Sequence, residues 1–311
     1  MTRVAAIDCG TNSIRLLVAD LDRVTGTAAD VVRRMEIVRL GEGVDQTGRL
    51  SPAALERTLA ALADYAATIE RLEIERVRMV ATSATRDAAN RPDFVTGVAR
   101  VLGLEPEIVS GTVEAELSFL GATRELQGTA AEPPYLVVDI GGGSTEIVLG
   151  TETVAAARSV DIGCVRMTER HFLNDPPTAA QVSAADADIA AALDLVAADV
   201  ALTTARTLVG VAGTVTTVAG IALGLPAYDA DTIHGARVSA EQVAKVTDAL
   251  LAMNHVERAA IPVMHPGRVD VIAAGAMILR AVVERVGLDS VVASEHDILD
   301  GLAWTLAPTP M

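Results

Sequence analysis

One spacing of chemistry-bearing residues occurs twice in this chain. Near the start an apolar run at 4–7 leads into Asp8, Gly10 and Ser13 (VAAIDCGTNS), and at mid-chain a run at 135–138 leads into Asp139, Gly141 and Ser144 (YLVVDIGGGST). Each copy then enters a second apolar stretch, 13–20 and 145–150. A tight turn between two strands points successive backbone N–H groups into one concavity, where they can bind phosphate oxygens, and the aspartate can reach a metal or a water. Two copies would make a two-walled clamp for a phosphorylated ligand. In the second copy Gly141, Gly142 and Gly143 remove every Cβ that would hold a phosphate off the backbone, and three glycines exceed what a hairpin needing φ > 0 requires. In the first copy Asn12 and Ser13 add donors. Arg15, two residues on, shares a strand face with Ser13, with a solvated arginine as the alternative.

Further candidates lie outside the two cradles. In VSGTVEAELSFLG, Glu114 follows a glycine turn that opens a helix, where a carboxylate can deprotonate a water for attack on phosphorus; a first-turn glutamate favoured by the helix dipole is the alternative. ATSATRDAANR places Arg86 just after a strand, where a guanidinium can hold phosphate bidentately. GVAGTVTTVAG puts Gly213 and Thr214 at a helix start, suited to a phosphate or nucleotide edge, but it lacks the third glycine of a dinucleotide site. Arg268 precedes an apolar helix, as a ligand group or as a structural cap. The lone lysine, Lys245, sits in AEQVAKV, so a P-loop, which needs a lysine after its glycines, is excluded. The histidines show neither metal spacing nor a nucleophile triad.

These groups need strands that end at turns and helices that begin at them. The pattern predicts strand, turn, strand and a third strand near 31–40. A helix opened by Ser51 and Pro52 follows, then a strand at 78–82, a helix over 84–102, a short strand at 107–110 and a helix over 113–126. The sequence QGTAAEPP at 127–134 has linker composition. From 135 the strand, turn, strand order restarts and alternating helices and strands follow, to a last helix near 297–304. The expectation is an α/β protein of two domains, 1–126 and 135–311 joined by a hinge at 127–134, each with a mixed sheet flanked by helices, and with the last helix able to pack back on the first domain.

Composition narrows the partners. The 311 residues are 50% hydrophobic, enough for a sizeable core, and the net charge of −16 argues against nucleic acid and anionic membranes, which need a basic footprint. With 2% aromatic residues, stacking platforms for single strands are also excluded. Cys9 and Cys164 cannot make a disulfide framework, and no apolar run reads as a signal peptide or a membrane span. The expected compartment is therefore the cytoplasm.

Taken together, AAIDCGTNSIRLLVAD, ATSATRDAANR, SGTVEAELSFLG, VVDIGGGSTEIVLG, DIGCVRMTE and GVAGTVTTVAG resemble the exopolyphosphatase / guanosine pentaphosphate phosphatase (Ppx/GppA) family in its short two-domain form, and HPGRVDVIAAG extends the likeness. The resemblance implies two ribonuclease-H-like domains around a cleft, in the superfamily of actin, sugar kinases and heat-shock ATPases. It implies magnesium-dependent release of terminal phosphate from inorganic polyphosphate, with short chains expected, or from guanosine pentaphosphate. By position, Glu114 matches the water-activating base, Asp139 the magnesium-associated aspartate and Glu146 a carboxylate that helps place metal or water. Gly141, Gly142, Gly143, Ser144 and Thr145 match the phosphate loop. Asp8, Gly10, Asn12, Ser13 and Arg15 match the first loop, and Arg86 and Arg268 match arginines that hold the substrate. Val113 stands where the family usually has a second glutamate, and Glu116, two residues along the helix from Glu114, points elsewhere. An ATP-dependent kinase of the same superfamily and a non-catalytic polyphosphate or alarmone sensor are the rival readings, and a homodimer is left open.

Overall fold

The apolar runs that carry the doubled motif are central strands, buried on both faces. The computed structural model describes residues 1–124, 126 and 131–307. Two units divide the chain: residues 1–117 with 298–311, and residues 118–297. No helix among the described residues is long and apolar enough to cross a membrane.

The first unit runs β1 (Thr2–Cys9), β2 (Ser13–Asp22), β3 (Thr27–Ile37), α1 (Val44–Thr47), α2 (Pro52–Arg71), β4 (Val77–Ala81), α3 (Ser83–Asp87), α4 (Arg91–Leu102), β5 (Glu107–Ile108) and the start of α5 (Gly111–Arg124). Its sheet has the order β3-β2-β1-β4-β5, with antiparallel pairs around β2 and parallel pairs around β4. Helix α2 starts as the sequence predicts: the Ser51 hydroxyl accepts from the Ala54 N–H and Pro52 fills the first turn, where a missing N–H costs nothing. Its apolar face, with Leu62 and Tyr65, meets Ile7, Leu16, Met79 and Phe94 in the core. The helix expected over 84–102 is two helices. Pro92 cannot continue a helix because it lacks the N–H and its ring would strike the carbonyl four residues back. Ala88 is accordingly extended, with ψ of 128°, and Pro92 sits in the first turn of α4.

The second unit runs β6 (Tyr135–Ile140), β7 (Thr145–Gly150), β8 (Val154–Val160), α6 (Cys164–His171), α7 (Ala179–Asp199), β9 (Thr207–Val211), α8 (Ala212–Ala222), α9 (Ala230–Ile233), β10 (Arg237–Ser239), α10 (Ala240–Ala252), α11 (His255–Ala259), α12 (Ile272–Val286) and β11 (Ser290–Ala293). Its sheet order is β10-β11-β9-β6-β7-β8. Five of these strands repeat the pattern of the first unit: β8-β7-β6 antiparallel, then β9 and β11 parallel, with β10 added at the edge. Both units are thus ribonuclease-H-like α/β folds. Helix α12 is apolar almost throughout and lies in the core with Leu136, Ile147, Leu193 and Val215.

The division differs from the one read in the sequence. It falls inside α5, after Leu117, because Ser118 hydrogen-bonds Asp139 and the Phe119 ring packs beside Gly150, both in the second unit. The final helix, α13 (Ile298–Leu306), belongs to the first unit, where it packs on β1, β2 and β4, pairs Asp300 with Arg33 and accepts from Arg23 at the Trp304 carbonyl. Of the segment expected as a linker, residues 127–130 lie outside the described residues.

Candidate active site

The two cradles are the same hairpin carrying different charges. In each, the glycine after the aspartate donates its N–H to the serine carbonyl, Gly10 to Ser13 at 2.9 Å and Gly141 to Ser144 at 3.0 Å. In each, the aspartate lies opposite the second residue of the next strand pairing, Asp8 opposite Arg15 and Asp139 opposite Glu146, so the two side chains share a face of the sheet. The first pair neutralises itself: Arg15 Nε and Nη2 donate to Asp8 Oδ2 at 3.0 and 2.7 Å. Arg15 is therefore held in the cradle and is not a solvated side chain. The second pair is two carboxylates, 6% and 1% exposed, with Ser118 donating to Asp139 and Ser159 donating to Glu146 at 2.6 Å.

The second cradle is pinned from behind by α6. The N–H groups of Cys164 and Val165 donate to the carbonyls of Gly141 and Gly142, both at 2.9 Å, Arg166 N–H adds a bond to Gly142, and Arg166 Nε donates to the Gly143 carbonyl at 2.7 Å. In a trans peptide C=O and N–H point opposite ways, so carbonyls turned into α6 send the N–H groups of Gly142, Gly143 and Ser144 to the other side. None of the three glycines has a positive φ. Close packing acts on the glycine behind the loop: a Cβ on Gly163, the N-cap of α6, would lie 2.3 Å from Gly142 backbone atoms. Gly163, Arg166, Ser118 and Ser159 were not singled out from the sequence. Gly163 and Arg166 lie in DIGCVRMTE and Ser118 in SGTVEAELSFLG, segments that carry no local mark of the loop they contact.

Glu114 lies on the first turn of α5, in the first unit, 8% exposed. Arg86 Nη1 donates to Glu114 Oε2 at 3.1 Å and to the Val109 carbonyl at 3.0 Å, so this arginine is committed to the carboxylate. Glu116 is exposed, on another face of the helix.

A third group belongs to the second unit. Ala212, at the start of α8, has φ of 65°, a left-handed backbone strained for a residue with a Cβ. Arg268 lies directly over Gly213, where a Cβ would sit 2.1 Å from a guanidinium nitrogen, and Arg268 donates to Thr217 Oγ1 at 3.2 Å. Thr214 meets Cys164 beside Gly275. Burial pushes the Cys164 thiol up to about 11, which makes it a packing residue and not a nucleophile.

No group of three or more His, Cys, Asp or Glu side chains placed to hold a metal occurs among the described residues. The Asp139–Glu146 pair nevertheless fits magnesium, a hard cation that takes one or two carboxylates and completes its shell with water and phosphate oxygens.

Residues 17–309 match the model of the Ppx/GppA phosphatase family. The chain belongs to this family. It is 51% identical to Exopolyphosphatase 2 of Mycobacterium tuberculosis, over 99% of both chains. It is 31% identical to the guanosine-5′-triphosphate,3′-diphosphate pyrophosphatase of Aeromonas salmonicida, covering 97% of this chain and 59% of that protein. A crystal structure of an exopolyphosphatase-like protein superposes with a TM-score of 0.94 at 44% identity, covering 97% of this chain and 98% of the other. Family membership does not by itself assign roles to the residues.

Proposed function

We propose that this protein hydrolyses a terminal phosphoric anhydride bond, releasing phosphate from inorganic polyphosphate, short chains included, or from the 5′ end of guanosine pentaphosphate, with magnesium. The observation that carries the reading is the pair of cradles with opposite partners, Asp8–Arg15 and Asp139–Glu146, in a chain of the phosphatase family. The names of the two curated relatives supply the candidate substrates.

Amides of the Gly141–Thr145 loop and donors of the first loop, Asn12, Ser13 and Arg15, bind phosphate oxygens in place of water. Glu114 accepts a proton from the attacking water as its oxygen bonds to the terminal phosphorus, and the anhydride P–O bond breaks with its electrons going to the leaving phosphate. Asp139 and Glu146 would hold a magnesium ion, which when bound would supply countercharge to the phosphate oxygens. Arg86 keeps Glu114 in place, and Arg268 with the start of α8 holds the distal part of the substrate. Val113 leaves Glu114 without an acidic neighbour in sequence.

The test is phosphate release from short polyphosphate, long polyphosphate and guanosine pentaphosphate, with magnesium and with a chelator. Turnover is expected with magnesium alone. Glu114→Gln is expected to lower kcat by about 100-fold or more while binding persists. Sugar phosphorylation by ATP without phosphate release, or tight binding without turnover in the wild type, would overturn the proposal.

A further inference from the structure

Beyond Arg268 the second unit changes character, from groups that attract phosphate to groups that do not. Thr217, which accepts from Arg268, is followed back along α8 by Thr216, whose hydroxyl contacts the Tyr228 hydroxyl at 2.7 Å. Tyr228 donates to Glu295 Oε1 at 2.6 Å. The Glu295 N–H in turn donates to His234 Nδ1 at 3.2 Å, which puts the His234 proton on Nε2. His234 and His296 lie with ring centroids 4.7 Å apart and planes 30° apart. In a chain with 2% aromatic residues, Tyr228 is the one aromatic side chain among the strongly exposed apolar residues described, at 41%.

We infer that Tyr228, Glu295 and the His234–His296 pair form a nucleoside-reading subsite continuous with Arg268, which selects a nucleoside polyphosphate over a bare polyphosphate chain. The inference rests on the phosphohydrolase reading of the same unit. Flat rings accept a nucleobase by stacking, and a carboxylate accepts paired donors, either N1–H and N2–H of guanine or the ribose diol. For a continuing phosphate chain the same place is unfavourable: Glu295 repels the next phosphate, and the rings offer it no donor equal to the Arg268 guanidinium. Selection thus has an attractive and a repulsive part. Tyr228 and Thr216 hold Glu295 in one orientation before any ligand binds, so little ordering cost falls on binding.

The test uses the full chain with magnesium and compares kcat/KM on guanosine pentaphosphate with kcat/KM on inorganic tripolyphosphate, for wild type, Glu295→Gln and Tyr228→Phe. Glu295→Gln keeps the side-chain shape and removes the charge. The ratio of nucleotide to tripolyphosphate is expected to fall about tenfold, the loss of one charge-assisted hydrogen bond, and Tyr228→Phe to move it the same way by less. Guanosine, adenosine and 2′-deoxyguanosine triphosphates separate base reading, which would disfavour adenosine, from ribose reading, which would disfavour the deoxy compound. An unchanged ratio in both variants overturns the subsite. Should the wild type release phosphate from neither substrate, the hydrolase reading fails. Calorimetric binding of guanosine triphosphate to wild type and Glu295→Gln then still decides the subsite, equal affinities overturning it.

Discussion

Arg86 and Arg15 show how alike residues are set to different tasks by what lies opposite them. Arg15 is turned onto Asp8 in its own cradle, whereas Arg86 spans from the Val109 carbonyl to Glu114. A guanidinium fixed at one end to backbone holds a carboxylate at a set angle, so removing it should act on the chemical step. Arg86→Ala is expected to lower kcat about 10- to 100-fold with a smaller change in KM, and Arg86→Lys, which keeps charge but not the planar fork, to recover part of it. A rise in KM with kcat unchanged would mean that Arg86 only grips substrate. At this scale Asp8 and Asp139 stand out in the sequence because turn and strand spacing is local, while Glu114 was open between a base and a dipole-favoured helix start and Glu146 entered only through the family resemblance. The partner of each was not legible, since Arg86 reaches Glu114 across 28 positions of sequence.

The strand–turn–strand hairpin and the helix behind it form the element on which the second cradle depends. The back of this hairpin is packed against the start of α6, where Gly163 leaves no room for a side chain, whereas Gly10 in the first hairpin has room for one. A Cβ at Gly163 would meet the backbone of Gly142 at 2.3 Å, whereas one at Gly10 would find its nearest atom, the Ser13 carbonyl, at 3.6 Å. Gly163→Ala should therefore cost about 1–3 kcal/mol by overpacking, visible as a lower urea midpoint, and should reduce turnover as the loop shifts. Gly10→Ala should leave the midpoint unchanged and raise KM, because its added methyl competes only with ligand. Equal midpoints for both variants would show that α6 does not fix the cradle. In the first unit the order of strands and helices followed from apolar runs and turn residues except at α1, which was not expected, and at the 84–102 helix, which Pro92 divides; in the second unit α6 with α7, and α10 with α11 and α12, replace the alternation expected there.

At the scale of the whole molecule, each unit holds one tyrosine whose proton is hard to remove. Burial, with the charge of Glu36 second, raises the Tyr65 hydroxyl above the usual tyrosine range while it donates to the Ile14 carbonyl. Burial, with the charge of Glu295 second, does the same to Tyr228, although the residue keeps 41% of its surface exposed. A folded-state value above the unfolded one, about 10, means stability that is full below that pH and is lost as pH rises toward the folded value. Absorbance at 295 nm should show Tyr65 and Tyr228 ionising later in the native protein than in urea, where tyrosines ionise at pH ~10. Titration of Tyr65 and Tyr228 in the native protein at the same pH as in urea would refute this.

The amino-acid sequence by itself determined the duplicated strand–turn–strand frame, the carboxylates at its turns and the class of ligand they suit, because each is a pattern within about a dozen residues, the range over which backbone geometry repeats. Tertiary structure alone decided which charge faces which. It set Arg15 on Asp8 but Glu146 beside Asp139, brought Gly163 under the glycine loop and placed α13 in the first unit. It also gathered Tyr228, His234, Glu295 and His296 from three separate stretches of chain. Such pairings depend on how buried elements pack and satisfy one another's polar groups, and no local spacing records them.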